Sequence, residues 1–502
     1  MIENVSQKDY YVAKHRDMPV MDLISRKLLI HKQLEKPPRT YVVYSDLHGS
    51  WDKYLYWMKN GLGYFKIVIE EILGESYSSE ICQCFEQLLL IVNRTQFENI
   101  TTAIDKDELT YDAPDIFSIP VPKEFLLTLD QLGSQHGLSR QRILKDTLHL
   151  LRSITRGDER RIIKSVPASF LENVLKLYAS ADKISFDGLV KGIVKSSQIF
   201  PIMMSLLIKL VVTNMFDKHI NIGDTFDRGE GADKLISFYR MWFDHEHSAP
   251  LHYIWGNHDI LWMGASIGNP ILAIDALRIS LRYNNVDFLS RYGFNLDKLR
   301  KYAESEYSEV PGGKLVKDIK REGGASAARM CKTLLVIQLK LTVQNLRHVN
   351  HIENYDYQEE LERYESLLEL LPLGVGPKSE DWTEFQEDNP LFLDCYFPTI
   401  SADDRTKLTP QEQEIADDIS NQFKTLPKLQ KDIKWLFEKG ESYRVVDNTL
   451  YFHAAIPCTT DGQLGYDMGL SGKNLYDFVQ RYIKKIGTKH FSNESLSNEE
   501  MM

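Results

Sequence analysis

Cysteine is scarce in this chain of 502 residues, with only Cys82, Cys84, Cys331, Cys395 and Cys458. Their odd number and scatter leave no paired zinc-knuckle spacing and no disulfide framework, so free thiols in a reduced, cytoplasmic setting are expected. Cys82-x-Cys84 reads as helix core rather than a metal pair. Long apolar runs are also missing. The most apolar stretch, Phe200 to Phe216, is interrupted by Pro201, Lys209 and Asn214, too short and too polar to span a bilayer, and reads as a buried helix. Basic charge is in deficit: 60 Lys and Arg stand against 71 Asp and Glu, a net charge of −11, which argues against general nucleic-acid binding and against a polybasic membrane surface. The start, Met1-Ile2-Glu3-Asn4-Val5-Ser6, lacks a basic-then-apolar signal pattern. No internal repeat or long low-complexity region is found. A 43% hydrophobic fraction is ample for a core, and the length could hold two to four domains on a size prior.

What is present is a set of short polar motifs, each after a β-like run. Thr40-Tyr41-Val42-Val43-Tyr44-Ser45 leads into Asp46-Leu47-His48, and Lys218-His219-Ile220-Asn221-Ile222 into Gly223-Asp224-Thr225-Phe226-Asp227-Arg228-Gly229. Leu251-His252-Tyr253-Ile254-Trp255 leads into Gly256-Asn257-His258-Asp259. Ligands thus leave strand C-terminal ends, where open α/β sheets place their sites. Two cations a few Å apart need hard oxygen and borderline nitrogen donors, with one carboxylate able to bridge. Asp46 and His48 suit a first metal, Asp224 the bridge, and Asn257 a second metal. His258 is placed to protonate a leaving alkoxide, with Asp227 or Asp259 orienting its imidazole. Arg228 offers a planar fork for phosphate oxygens. Taken singly, each motif can be an ordinary solvated turn. Three in order, each after a strand, point to a two-metal phosphate-ester hydrolase.

These residues resemble the calcineurin-like metallophosphoesterases. The longer strings Tyr44-Ser45-Asp46-Leu47-His48-Gly49 and Trp255 through Ala265 are similar to class III fructose-1,6-bisphosphatase, as are Lys59-Asn60-Gly61, Arg282-Tyr283-Asn284-Asn285 and Ser471-Gly472-Lys473. The resemblance runs from about Thr40 to about Lys485. It implies an α/β fold with a β-sandwich core flanked by helices, in a cytoplasmic bacterial enzyme. The implied reaction removes the 1-phosphate of fructose 1,6-bisphosphate in gluconeogenesis, with Mn²⁺ as the usual metal and Mg²⁺ as an alternative. A fourth family motif follows. Tyr443-Arg444-Val445-Val446 and Leu450-Tyr451-Phe452 flank an Asp447-Asn448 turn and deliver His453, the implied next ligand of the second metal. Ala454 stands where the family commonly carries glycine.

Relatives of this kind end in a Gly-His segment that nothing after His453 supplies, the later His490 lacking the expected strand and glycine context. A C-terminally truncated member with an incomplete second sheet, weak metal binding and impaired activity is therefore expected. The layout read from the sequence has an N-terminal helical arm over 1–39 and a core over 40–456. Long helical insertions interrupt that core at about 52–214 and 262–440, and an incomplete part with a disordered polar tail follows over 457–502. From His48 to Asp224 is 176 residues and from His258 to His453 is 195, far more than one crossover needs. Leu144, Leu148 and Leu151, then Phe170, Val174 and Leu177, then Leu361, Tyr364, Leu368 and Leu371 show helical spacing, the last face ended by Pro372. The 33 residues from Asp224 to Asn257 fit one crossover helix, Ala232 to Phe243, returning to a parallel strand. The insertions are read as packing or homo-oligomer contacts ahead of substrate contact. Two other readings stay open: another metallophosphatase, such as a phosphoprotein phosphatase, and a non-catalytic or partner-dependent chain.

Overall fold

Runs rich in β-branched and aromatic residues, closed by Gly, Asp and Asn, form strands at the three expected places: Tyr41–Tyr44 (β1), Lys218–Asn221 (β2) and Leu251–Ile254 (β3). A fourth strand, Gly440–Glu441 (β4), is too short to leave a periodic signature in the sequence. The sheet order is β1-β2-β3-β4, with β2 and β3 parallel (His219 opposite Leu251) and β3 and β4 parallel (Tyr253 opposite Gly440). Glycine is required in β4, because a methyl group at Gly440 would lie 2.0 Å from Trp255 Nε1. This computed structural model describes residues 40–502 apart from 107–119, 167, 181–185, 244–248, 311–314, 318–319, 321, 350–356, 372, 374–395, 460–461, 468, 498–499 and 501–502. The arm expected over 1–39, the loop read around 374–381 and Cys395 lie outside the described residues. The architecture is mixed α/β, mostly helical, with a parallel sheet. Among the described residues no helix is long and apolar enough to cross a membrane.

The chain divides into two compact units, one of residues 1–41, 66–92 and 121–217, the other of 42–65, 93–120 and 218–502. The first is helical. Its centre is the helix Ile199–Thr213, whose residues from Met203 to Val212 are all buried, Lys209 included. Helices Lys123–Ser134, Arg140–Thr155 and Phe186–Lys195 pack around it. The sequence pattern is matched here: Leu144, Leu148 and Leu151 are fully buried, and so are Val174 and Leu177, whereas Phe170 stays largely exposed. Asp217, just before β2, accepts from Thr40 N at 2.8 Å and pairs with Arg156 and Arg161, each with a contact of 2.8 Å.

The second unit holds the rest of the sheet and its coverings. The crossover helix forms over Ala232–Phe243, the span read from the sequence, and buries Leu235, Ile236, Phe238 and Tyr239. Tyr239 and Tyr253 meet at 6.0 Å, and Trp435 of helix Pro427–Lys439 closes on Tyr253 at 5.4 Å. Asp432 on that helix is fully buried and accepts from Arg240 Nη1 (2.7 Å) and Tyr292 OH (3.0 Å), tying it to the crossover helix and to helix Val286–Tyr292. Burial pushes its carboxyl up to about 6 against the pull of Arg240. Helix Gln358–Leu370 presents the expected face, with Leu361 and Leu368 buried against Val336, Val343 and Leu346 of helix Gly324–Val349.

The hairpin Tyr443–Val446 (β5) and Thr449–Phe452 (β6) is antiparallel, turning through Asp447 (φ 46°) and Asn448 (φ 67°). Two left-handed residues in a two-residue loop match the strand twist. Farther on, helix Gly472–Phe491 places Lys485 and Lys489 on one face. Both reach the Glu500 carboxylate, at 3.1 and 2.7 Å, and Ser497 N and Glu500 N bond reciprocally to each other's side chains. The polar tail, read as disordered from composition, therefore has a fixed anchor that only the helical spacing of the two lysines reveals.

Lys340 and Glu412 form a fully buried ion pair, Nζ to Oε2 at 2.7 Å, with Lys340 also donating to Thr399 O at 2.8 Å. Glu412 additionally accepts from Thr409 N, closing the capping box of helix Pro410–Thr425. Removing one partner strands a buried charge, so Glu412→Ala should cost about 3–5 kcal/mol. Adding Lys340→Met should recover much of that loss. Urea midpoints of the wild type, both single variants and the double variant check this; strictly additive losses would show that the pair is uncoupled.

Candidate active site

The motif residues converge because their strands are neighbours and their loops touch. Asp46 N donates to Gly223 O (3.1 Å) and His48 N to Asp224 O (2.9 Å), zipping the first loop to the second. Glycine permits the close approach at two places. A methyl group at Gly256 would lie 2.1 Å from Asp224 Oδ1, and one at Gly229 would lie 2.0 Å from His48 O. The turns are tight. Asp46 (φ 53°), His48 (φ 48°), Asp224 (φ 59°) and Ala454 (φ 58°) all hold left-handed backbone, a conformation non-glycine residues adopt at a cost and mostly at functional sites.

Asp224 is the hub. Its Oδ1 accepts from His258 N at 3.0 Å, at the amino end of helix Asn257–Ser266, while its Oδ2 lies 3.2 Å from His453 Nε2 and 3.9 Å from His48 Nε2. One carboxylate oxygen thus stands between two imidazoles, the placement a bridging ligand needs. Burial raises the Asp224 carboxyl, but the His453 bond and the His258 N–H outweigh it, and the net shift is downward. On one side, Asp46, His48 and Asp224 bring one ligand atom each to within 4.8 Å of one another, enough to hold a metal ion. Across Asp224, Asn257 Oδ1 lies 3.2 Å from His453 Nε2. His453 Nδ1 bonds Ile222 O at 2.6 Å, fixing the ring so that Nε2 faces the site, as metal-binding histidines usually are.

His258 Nε2 lies 3.5 Å from Asp227 Oδ1, and its Nδ1 is buried without a hydrogen-bond partner among the described residues. Asp227 Oδ2 lies 3.4 Å from His48 Nε2 and 3.3 Å from Arg228 Nε. The Arg228 guanidinium is about half exposed and donates to His48 Nδ1 from Nε (3.0 Å) and Nη2 (2.8 Å). Of the two carboxylates expected beside His258, Asp227 is the one that reaches it. Asp259 is fully buried and points elsewhere: it accepts from the backbone N–H groups of Asp224 (3.0 Å), Thr225 (2.9 Å), Phe226 (3.2 Å) and Gly256 (2.9 Å), and from Tyr253 OH (3.0 Å). Burial pushes its carboxyl up to about 6 in spite of these donors. Its place is beneath the loops, holding the second motif against the third.

Asn285 was legible only as part of the string Arg282–Asn285, and its Nδ2 supports the second loop by bonding Arg228 O at 3.0 Å. The other strings make local hydrogen bonds. Asn60 accepts from Arg94 (2.6 Å) and caps Tyr56 O (2.7 Å), while Lys473 joins Asp477, which holds Tyr443 OH at 2.6 Å. His490 bonds Gln430 Oε1 at 2.9 Å and is not among the residues that converge.

Ala454 follows His453 directly, and its left-handed backbone costs an alanine about 1–2 kcal/mol. Ala454→Gly should stabilise the fold by about 1 kcal/mol once glycine's larger unfolded entropy is deducted, read as a higher denaturation midpoint. An unchanged or lower midpoint would contradict the strain. A second expectation concerns pH. The bond to Asp224, opposed by burial and aided by Ile222 O, raises His453 to about 9. The unfolded chain binds this proton only near pH 6.5, so the stabilisation is complete below about 6.5 and is lost as pH rises through about 9. Chelator-treated protein should lose stability over that window, and His453→Gln should flatten the slope; an identical slope in both would overturn the assignment. A divalent cation must displace the same proton, so its apparent affinity should rise with pH across this window.

A family model described as Firmicute fructose-1,6-bisphosphatase matches residues 19–502 of the chain. Among curated proteins, "Fructose-1,6-bisphosphatase class 3" of Listeria innocua is 26% identical, with 97% of this chain and 70% of that protein covered. The proteins of the same description from Clostridium botulinum (25% identical, 97% and 70% covered) and Clostridium tetani (27% identical, 90% and 63% covered) are similar in the same way. The chain thus spans roughly two thirds of the length of these relatives, between 63% and 70%. No solved structure matches it.

Proposed function

Since this chain belongs to the Firmicute fructose-1,6-bisphosphatase family, we propose that it hydrolyses the 1-phosphate of fructose 1,6-bisphosphate to fructose 6-phosphate and phosphate, as a cytoplasmic step of gluconeogenesis. The observation that carries the reading is the position of Asp224 Oδ2 between His453 Nε2 and His48 Nε2. Asp46, His48 and Asp224 would hold one metal ion and Asp224, Asn257 and His453 the other, with Mn²⁺ preferred and Mg²⁺ as the alternative. The donor set fits: hard carboxylate and amide oxygens with imidazole nitrogens suit these first-row and alkaline-earth ions better than soft metals. When bound, the ions supply Lewis acidity toward the phosphoryl oxygens and an acidified water for in-line attack.

The chain's own groups do the rest. His258 gives its Nε2 proton to the departing sugar oxygen, and Asp227 Oδ1, 3.5 Å from that nitrogen, keeps the imidazole edge at the site. Arg228, exposed and planar, can leave His48 and present its fork to the phosphate. We read the parallel sheet with ligands at its strand ends as the calcineurin-like metallophosphoesterase arrangement, and the helices of the insertions as packing and subunit-contact layers.

Phosphate release from fructose 1,6-bisphosphate, a phosphopeptide and p-nitrophenyl phosphate, each with and without Mn²⁺, tests the reading. Release from the sugar bisphosphate that depends on Mn²⁺ and exceeds the other two supports it. Preference for the phosphopeptide would favour a phosphoprotein phosphatase, and no release from any of the three a non-catalytic chain. His258→Ala should lower turnover of the sugar phosphate by about 10²- to 10⁴-fold with metal content unchanged. The loss with p-nitrophenyl phosphate should be smaller, because nitrophenolate leaves with little protonation. Equal losses, or metal lost in proportion, would make His258 a ligand or a structural residue instead.

A further inference from the structure

A cavity of about 370 Å³ is lined by Gly49, which follows His48 in the sequence, and by Gly229, which follows Arg228. Its floor is backbone: Gly49, Gly229 and Gly231 carry no side chain into it, and a methyl group at Gly231 would lie 2.5 Å from Trp51 Cβ. Helices Trp51–Lys59 and Ala232–Phe243 begin at this floor, so their positive ends face the space. Lys53 and Lys234 stand on those helices and line the cavity. Among the described residues Lys53 makes no ion pair or hydrogen bond and is exposed, whereas Lys234 contacts Asp105 at 2.8 Å. Two exposed carboxylates, Asp52 and Asp287, line the same space and likewise have no partner among the described residues.

Ammonium groups and unengaged carboxylates in one cavity ask for a ligand with two chemistries. Phosphate oxygens accept from lysine Nζ, and sugar hydroxyls donate to carboxylates. A polyol phosphate offers both; an aryl phosphate or a phosphopeptide lacks the hydroxyls. The volume is at the small end of ligand pockets and suits one monosaccharide phosphate.

We propose that this cavity is the subsite for the non-reacting end of the sugar bisphosphate, with the distal phosphate on Lys53 and Lys234 and the sugar hydroxyls on Asp52 and Asp287. This rests on the phosphatase reading above and adds the group that sets its preference for a bisphosphate.

Fructose 6-phosphate is the discriminating probe, since it keeps the sugar and the distal phosphate and lacks the 1-phosphate that the proposed reaction removes. Its binding to the full chain with Mn²⁺, measured by calorimetry, should weaken about tenfold in Lys53→Ala and recover in Lys53→Arg, the scale of one charge-assisted hydrogen bond. In kinetics, Lys53→Ala should shrink the preference for fructose 1,6-bisphosphate over fructose 1-phosphate by a similar factor. It should raise KM for the bisphosphate far more than it lowers kcat. Asp287→Asn, which keeps shape and removes charge, should also weaken fructose 6-phosphate binding. Lys53-dependent binding of fructose 6-phosphate without hydrolysis of any substrate would support the subsite and sink the phosphatase reading. Hydrolysis with fructose 6-phosphate binding absent, or unchanged in Lys53→Ala, would overturn the subsite and leave the phosphatase standing. Equal losses on fructose 1,6-bisphosphate and fructose 1-phosphate would also overturn it, marking Lys53 as structural.

Discussion

The site depends on one buried carboxylate. Asp259 has no access to solvent, and a charge in such a place is tolerated only where donors surround it. Four backbone N–H groups and one phenol supply them, and three of the four belong to consecutive residues, Asp224, Thr225 and Phe226. Three successive amides can point at one acceptor only if the chain curls tightly, which is what the left-handed Asp224 achieves. The curl turns the Asp224 side chain toward the imidazoles, while the amide of His258 fixes its other oxygen. A carboxylate that touches no ligand atom thereby decides where the central one stands.

Much of this was legible in the sequence. Strands β1 to β3 and the crossover helix follow from residue type and spacing, since apolar residues of period two or 3.6 must be buried on one side. The convergence of Asp46, His48, Asp224, Asn257 and His453 follows from motifs at strand ends. Asp259 was the misleading residue: adjacency to His258 suggested partnership, but successive side chains on a helix point about 100° apart, so one faces the site and the next faces the core. Gly440–Glu441 left no trace because two residues have no period. The cavity at Lys53 was invisible for a different reason, being assembled from three segments with no shared motif.

The two sides of the centre differ in freedom. Asp224 and Asp227 have side chains only 6% and 11% exposed, whereas the side chains of Asp46 and Arg228 are each 53% exposed. The buried carboxylates sit where charge must be held to a fixed geometry, and the exposed Arg228 sits where a substrate can reach it. The chain's overall negative charge gives no steering toward an anionic substrate, so local groups such as Arg228 and Lys53 must supply the attraction.

The distance along the chain between partners has a consequence for how the protein is made. His453 is synthesised 405 residues after His48. At roughly 5–20 residues per second that is about 20–80 s during which the first half of the centre exists without its counterpart. Until then Asp46 and His48 stand without the imidazole that lies across Asp224 from them, while the helical segments between them and His453 fold through local contacts. The arrangement around Asp224 is therefore completed only once the hairpin that carries His453 has been made.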